Sequence, residues 1–200
     1  MRRALIVLGV IALTLLYLAL PLIDRTLAAL VRYAPEPREL VVPVAGVTRD
    51  AVHTSWGAPR SGHRTHEGVD IFARRGTPVV AAAPGEVVRI GQNRLGGNVV
   101  WVAGGGARLY YYAHLDRFRR DLRVGQQVHA GETLGAVGTT GNARGTPPHL
   151  HFGVYPASTG FRAVDPVPLL RRKNSTPKSK TSAIGAELLV RAGDIEQPLG

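Results

Sequence analysis

Between residues 40 and 170 the apolar positions fall in short runs, and turn-forming residues separate them. The runs are 78–81, 85–91, 98–103, 109–113, 133–137 and 149–155. Pro84-Gly85, Gly96-Gly97, Gly104-Gly105-Gly106, Gly131-Glu132, Gly138 and Gly141-Asn142 punctuate them. Short apolar runs bounded by Gly and Pro predict strands. No part of 40–170 keeps a 3.6-residue apolar period for long, which argues against helices. The pattern predicts an all-β protein, a compact antiparallel β-sheet or sandwich.

The rhythm also repeats. Gly76-Thr77-Pro78-Val79 and Ala83-Pro84-Gly85-Glu86-Val87-Val88 resemble Val124-Gly125-Gln126-Gln127-Val128 and Ala130-Gly131-Glu132-Thr133-Leu134. Each half reads as strand, small-residue turn, strand. Biotinyl and lipoyl carrier domains share this rhythm, so a duplicated, hybrid-motif-like β-fold is expected. Carrier chemistry is not expected. It needs a lysine at a hairpin tip, and the only lysines, Lys173, Lys178 and Lys180, follow the domain.

The ends differ in character. Ala4 to Ile23 carry no charge, and about 20 apolar residues span a bilayer as a helix. The run is long for a cleaved signal, and Leu18-Ala19-Leu20-Pro21 is a poor cleavage site. Residues 1–23 are therefore expected to be an N-terminal transmembrane helix serving as a single-pass anchor. Arg2 and Arg3 before the run face Arg25 and Arg32 after it, so charge does not fix the orientation. The short N-terminus favours a cytoplasmic start and an external domain, which faces the periplasm or the cell exterior. Residues 24–39 read as a spacer, 40–170 as the folded domain, and 171–200 as a basic, disordered tail rich in Ser, Thr, Lys and Pro.

The chain contains no cysteine, which excludes disulfides and thiolate metal sites. Its net charge of +11 suits an anionic polymer or surface. No basic-aromatic stacking pattern accompanies the charge, so nucleic acid is not an expected partner.

His149-Leu150-His151 sits on a predicted strand, where residues i and i+2 face one side. His66 and Asp70 form a second imidazole–carboxylate pair in His66-Glu67-Gly68-Val69-Asp70. On a straight strand that spacing covers about 13 Å, too far for one ion. A bend near Glu67-Gly68, permitted by glycine, would bring His66 back. His114 ends Tyr110-Tyr111-Tyr112-Ala113-His114. Strand parity puts Tyr110, Tyr112 and His114 on one face. Nitrogen and oxygen ligands with one position left open are what a catalytic zinc ion takes.

His66-x3-Asp70, Tyr112-Ala113-His114-Leu115 and His149-Leu150-His151-Phe152 occur in an order and context that resemble the lysostaphin/LytM-type zinc metallopeptidases. The likeness runs over about residues 47–168. It includes Gly68-Val69-Asp70-Ile71, Arg75-Gly76-Thr77-Pro78-Val79, Gly97-Asn98, Val124-Gly125-Gln126 and Gly145-Thr146-Pro147-Pro148. The resemblance implies a compact antiparallel β-fold and hydrolysis of peptide cross-links in bacterial peptidoglycan, whose peptide would be the substrate. It implies one Zn²⁺ held by His66, Asp70 and His151, with His114 and His149 as catalytic residues beside it.

Two other classes of function compete. A non-catalytic wall-binding module that activates an amidase would not need the complete set of five residues present here. A non-haem iron oxygenase would use two histidines and a carboxylate but leave His114 and His149 unexplained. Four other residues depart from the motifs or lie outside them. Glu67 lacks the spacing of an H-E-x-x-H general base. His63 is expected as surface decoration or a stray metal binder, and His53 and His129 as surface residues. Residues 92–97, 104–107, 138–148 and 156–163 are the expected walls of a substrate groove.

Overall fold

A computed structural model describes Thr14 and residues 34–60 and 63–171. Apart from Thr14, the expected membrane span lies outside the described residues, as do residues 24–33 of the spacer and the tail beyond Arg171. Among the described residues no helix is long and apolar enough to cross a membrane.

The described residues from 34 to 171 are all-β. Ten strands follow in order: β1 (Pro59–Arg60), β2 (Arg64–Thr65), β3 (Val69–Phe72), β4 (Pro78–Val80), β5 (Gly85–Asn93), β6 (Gly97–Gly104), β7 (Arg108–Phe118), β8 (Gln127–Val128), β9 (Thr133–Val137) and β10 (His149–Pro156). Between residues 34 and 171 the helical segments are short 3₁₀ turns, as expected of a chain without helical periodicity. The six apolar runs all form strands, β4 to β7, β9 and β10. β7 continues past its predicted end to Phe118. Leu115 is fully buried and Phe118 packs on the core, so the ladder persists through charged Asp116 and Arg117.

β1 and β2 form their own hairpin, and the remaining eight strands form one sheet. Its main path runs β3-β10-β7-β6-β5-β8, and β9 pairs with both β4 and β7. Every strand pairing is antiparallel. The expected half-repeat appears as two interlocked copies. β4 of the first half pairs with β9 of the second, and β5 of the first with β8 of the second. The Gly76 N–H donates to Val137 O at 2.8 Å, and the Val137 N–H returns to Thr77 O at 2.8 Å. The other half does the same: Gly125 N–H to Val87 O and Val87 N–H to Gln126 O, both at 2.8 Å. Gly76 and Gly125 take φ of 89° and 85° there, a left-handed conformation that glycine adopts without steric cost.

The core lies where the two halves close on each other. Tyr110, Tyr112, Phe152, Leu134, Leu150 and Ile71 are among its fully buried members. The Tyr112 hydroxyl accepts a hydrogen bond from the Ala82 N–H at 2.9 Å, which satisfies a polar group at full burial. Leu40 and Leu170 pair side by side at the two ends of the described domain.

Candidate metal centre

β10 lies between β3 and β7, and this order builds the site. Asp70 on β3 is directly opposite His151 on β10, and His151 in turn faces Ala113 on β7. His149 lies two residues back along β10, on the same face, as strand parity requires. His66 precedes β3. Its backbone bonds to Ala58 O and to the Gly57 N–H, each at 2.9 Å, which turns the segment back towards Asp70.

Gly68 has a different role from the bend expected of it. It has no left-handed φ. A Cβ there would lie 2.6 Å from Phe152 O and 2.7 Å from the His151 ring. Glycine is needed because β10 and the His151 ring approach this backbone closely.

His114 corrects a second expectation. Tyr110 and Tyr112 point into the core, whereas His114 lines the cleft with Tyr111 and Ala113. The cause is a β-bulge. Asn98 pairs with Leu115, but Val100 pairs with Tyr112, so β7 carries one extra residue here. His114 absorbs it with a φ of 63°. A bulge re-aims the side chain that carries it. The His114 N–H donates to Gly96 O at 2.7 Å and secures the turn.

Three imidazoles are anchored in the same way. Nδ1 of His66 bonds Ser55 O at 2.8 Å, Nδ1 of His114 bonds Thr140 O at 2.8 Å, and Nδ1 of His149 bonds Pro147 O at 2.9 Å. A carbonyl only accepts, so each Nδ1 carries the proton and each neutral ring keeps its lone pair on Nε2. All three rings line the same cleft. His66, His114 and His149 are 4%, 7% and 7% exposed.

His66 Nε2, His151 Nδ1 and Asp70 Oδ1 converge. The separations are 2.9 Å between the two nitrogens and 3.1 Å from each nitrogen to the carboxylate oxygen. Ligands 2.0–2.1 Å from a tetrahedral ion lie about 3.3 Å apart. Three electron-pair donors aimed at one point repel one another unless a cation or proton sits between them, so this donor set fits a metal ion. His149 Nε2 lies 3.9 Å from Asp70 Oδ1, at the edge of this group. The His149 and His114 ring centroids are 5.0 Å apart.

The other carboxylate oxygen of Asp70 is held as well. Arg60 Nη2, from the β1–β2 hairpin, donates to Asp70 Oδ2 at 2.6 Å. Burial alone would raise the Asp70 carboxyl. The adjoining His151 and His66 rings and the Arg60 guanidinium outweigh it and hold the group well below the usual carboxylate range. Burial pushes His114 down to about 4 and also lowers His151, so both favour the neutral ring.

The five residues expected to carry the chemistry line one open cleft of about 1090 Å³. Of the expected walls, 92–97 and 138–148 contribute to it, through Arg94 and Leu95 and through Asn142 and Thr146. Residues 104–107 and 156–163 do not. The 104–107 turn lies at the far end of β6 and β7, and Gly105 and Gly106 pack against Pro35 and Glu36 there. Sequence reasoning missed Arg60, Trp101, Tyr111 and Tyr155. The three aromatic rings form a shelf in the cleft. The Trp101 centroid is 4.4 Å from Tyr111 and 5.3 Å from Tyr155. The alternation of β6, β7 and β10 could have placed them on this face. His63 and Glu67 reach the cleft but stand outside the three-donor group. His53 and His129 are exposed, as expected.

The fold is an antiparallel β-domain whose open cleft brings together two imidazoles and a carboxylate, a donor set of the kind a metal ion takes. Residues 64–166 match the model of peptidase family M23, and the chain belongs to that family. It is 36% identical over 141 residues to an L-Ala–D-Glu endopeptidase of Bacillus subtilis, covering 66% of this chain and 43% of the relative. It is 37% identical over 124 residues to the glycyl-glycine endopeptidase ALE-1 of Staphylococcus capitis, covering 58% and 33%. The chain thus spans less than half the length of these curated relatives. Among solved structures, the catalytic domain of lysostaphin from Staphylococcus simulans aligns with a TM-score of 0.52 at 32% identity. That alignment covers 60% of this chain and 92% of that domain.

Proposed function

We propose that the protein is a zinc-dependent endopeptidase that hydrolyses peptide cross-links of bacterial peptidoglycan. The observation that carries the proposal is the meeting of His66 Nε2, Asp70 Oδ1 and His151 Nδ1 within 2.9–3.1 Å, beside two further imidazoles. The names of the relatives support peptide hydrolysis, since both describe endopeptidases, and a further relative, 37% identical over 89 residues, is a peptidoglycan DD-endopeptidase of Vibrio cholerae.

His66, Asp70 and His151 would hold one Zn²⁺. Bound zinc supplies a Lewis acid that lowers the pKa of its water towards about 7. The chain's own residues do the rest. His149 keeps its Nε2 lone pair facing the cleft because Pro147 O holds its Nδ1 proton, so it can accept a proton from the attacking water. His114 has the same tautomer through Thr140 O. Its Nε2 therefore also faces the cleft as an acceptor; whichever of the two rings takes the water's proton can donate it to the oxyanion and then pass it to the leaving amine. The Thr140 and Pro147 carbonyls keep both rings from rotating. Arg60 keeps the Asp70 carboxylate turned so that one oxygen faces the donor group.

The apolar segment 4–23 would tether the domain in the cell membrane, with the cleft facing the periplasm or the cell exterior. Fractionation of cells expressing the full chain, with protease added from outside, tests the tether.

The test of the activity is digestion of purified sacculi by the zinc-loaded full chain, with mass spectrometry of the released fragments. Fragments ending at a cleaved peptide bond are expected. Intact sacculi at full zinc occupancy would overturn the proposal. Faster release by an added amidase would then favour the activator function, and stoichiometric iron after purification without added metal would favour the oxygenase.

A further inference from the structure

A second cavity of about 360 Å³ adjoins the cleft, and Asn93 and Arg94 line both. Its volume is at the lower end of the range for small-ligand sites. Its lining holds two arginines, Arg94 and Arg144, together with amides, one threonine and glycines, and it contains no carboxylate and no hydrocarbon side chain.

Two loops meet to form it. Arg94 sits on the β5–β6 turn, and Arg144 follows the 3₁₀ turn Gly141–Ala143. Gly97 and Gly141 lie back to back, and a Cβ on either would overlap the backbone of the other. The Asn142 N–H donates to Leu95 O at 2.9 Å, and the Asn98 N–H donates to Thr140 Oγ1 at 2.9 Å. The same two loops hold His114, through Gly96 O and Thr140 O. The cavity is therefore fixed relative to the proposed chemistry.

The amide and hydroxyl groups of the wall are already committed. Gln92 Nε2 donates to Asn98 Oδ1 at 2.7 Å, Asn98 Nδ2 donates to Leu115 O at 2.9 Å, and Thr140 Oγ1 donates to Leu115 O at 2.9 Å. The guanidinium groups are not. Arg60, Arg75, Arg108, Arg117, Arg119 and Arg171 each face a carboxylate. Arg94 and Arg144 are exposed and, like Arg74, Arg120, Arg123 and Arg162, face none among the described residues; what sets these two apart is that they share one cavity. Two like charges placed together without a counter-charge suit an anionic ligand, and the planar fork of a guanidinium matches a carboxylate.

We infer that Arg94 and Arg144 form a subsite for a free carboxylate of the peptide substrate, beside the bond to be cut. The inference rests on the proposed peptidase function and adds a charge requirement to it. Because Asn93 and Arg94 border both, an extended peptide lying in the cleft runs beside the side cavity and can place a carboxylate-bearing branch in it. A carboxamide of the same shape fits but gives up the charge-assisted bonds.

The test uses two synthetic cross-linked stem peptides, identical except that the free carboxylates of one are carboxamides. The zinc-loaded full chain is compared with Arg94→Gln, Arg144→Gln and the double variant. The parent is expected to cleave the carboxylate form about tenfold more efficiently in kcat/KM, through KM, with the preference shrinking as salt rises. The double variant is expected to lose most of that preference, and Arg94→Lys with Arg144→Lys to keep part of it. Equal treatment of the two peptides by the parent, or an unchanged preference in the double variant, would overturn the subsite. Binding of both peptides is measured in parallel by calorimetry. If no peptide is cleaved, a carboxylate preference in binding that the double variant loses still supports the subsite, and the peptidase proposal fails alone. Equal binding of both peptides by the parent overturns the subsite whether or not cleavage occurs. Inorganic phosphate is the control for a general anion site, and stronger competition by phosphate than by glutarate would also count against a carboxylate subsite.

Discussion

Arg60 Nη2 and Asp70 Oδ2 are joined at 2.6 Å, while Oδ1 of the same carboxylate faces His66 and His151 at 3.1 Å. The guanidinium divides the two oxygens between two tasks and stops the carboxylate from rotating. Groups that orient a metal ligand typically contribute 10- to 100-fold to affinity. Arg60→Ala is therefore expected to weaken zinc binding by about tenfold or more, read by competition with a chromogenic chelator. Arg60→Lys keeps the charge but not the planar fork and should recover part of the loss. Parent-like affinity in Arg60→Ala would show that the ion pair does not hold the ligand.

The two histidines of β10 should separate by role. His151 Nδ1 lies within 3.1 Å of both other donors, whereas His149 Nε2 is 3.9 Å from Asp70. His151→Ala is expected to lose metal and activity together. His149→Ala should keep most of its zinc while kcat falls by roughly 10²–10⁴. Metal content and turnover measured on the same samples check this. Equal zinc retention in both variants would contradict the ligand assignment.

Gly68→Ala tests the close packing behind the site. The added methyl would lie 2.6 Å from Phe152 O, and that oxygen belongs to β10 and cannot swing away. Overpacking of this kind costs about 1–3 kcal/mol. The expected result is a melting temperature several degrees lower, with weaker zinc binding because the His151 ring is also displaced. An unchanged melting temperature and zinc affinity would mean that β3 and β10 separate easily.

The outline of this arrangement was legible in the chain. Apolar runs and turn residues placed six strands, because each run is half-buried in a ladder and each turn needs Gly or Pro. His149 and His151 were readable as one face because β10 is regular. His114 was not, because parity fails at a bulge, and nothing in Tyr112-Ala113-His114-Leu115 announces the extra residue opposite Val99. Arg60 was invisible for another reason. It lies ahead of the matched segment 64–166, and its partner Asp70 is reached only through the fold of a hairpin too short to leave an apolar pattern. Arg94 and Arg144 lie far apart in sequence and come to line one cavity only because Gly97 and Gly141 let two loops touch.

The pH dependence of stability in the metal-free chain follows from the imidazoles. Burial holds His114 at about 4 and also lowers His151, whereas an unfolded histidine titrates near 6.5. Above about pH 6.5 both states carry the neutral ring, and the full stability is present. As the pH falls from there towards 4, the unfolded chain takes up protons that the folded chain resists, so stability is lost. Asp70 acts in a lower window. Its folded carboxyl lies well below the usual range, so its contribution persists above about pH 4 and fades only beneath it. The decline between pH 6.5 and 4.5 therefore belongs to the imidazoles rather than to Asp70. Melting temperature measured across this range should fall steadily in the parent and less steeply in His114→Gln. Zinc loading should leave a further acid sensitivity, because protons compete with the metal for His66 and His151. A flat profile in the metal-free parent from pH 7 to 4.5 would show that the His114 ring is not held neutral by its surroundings.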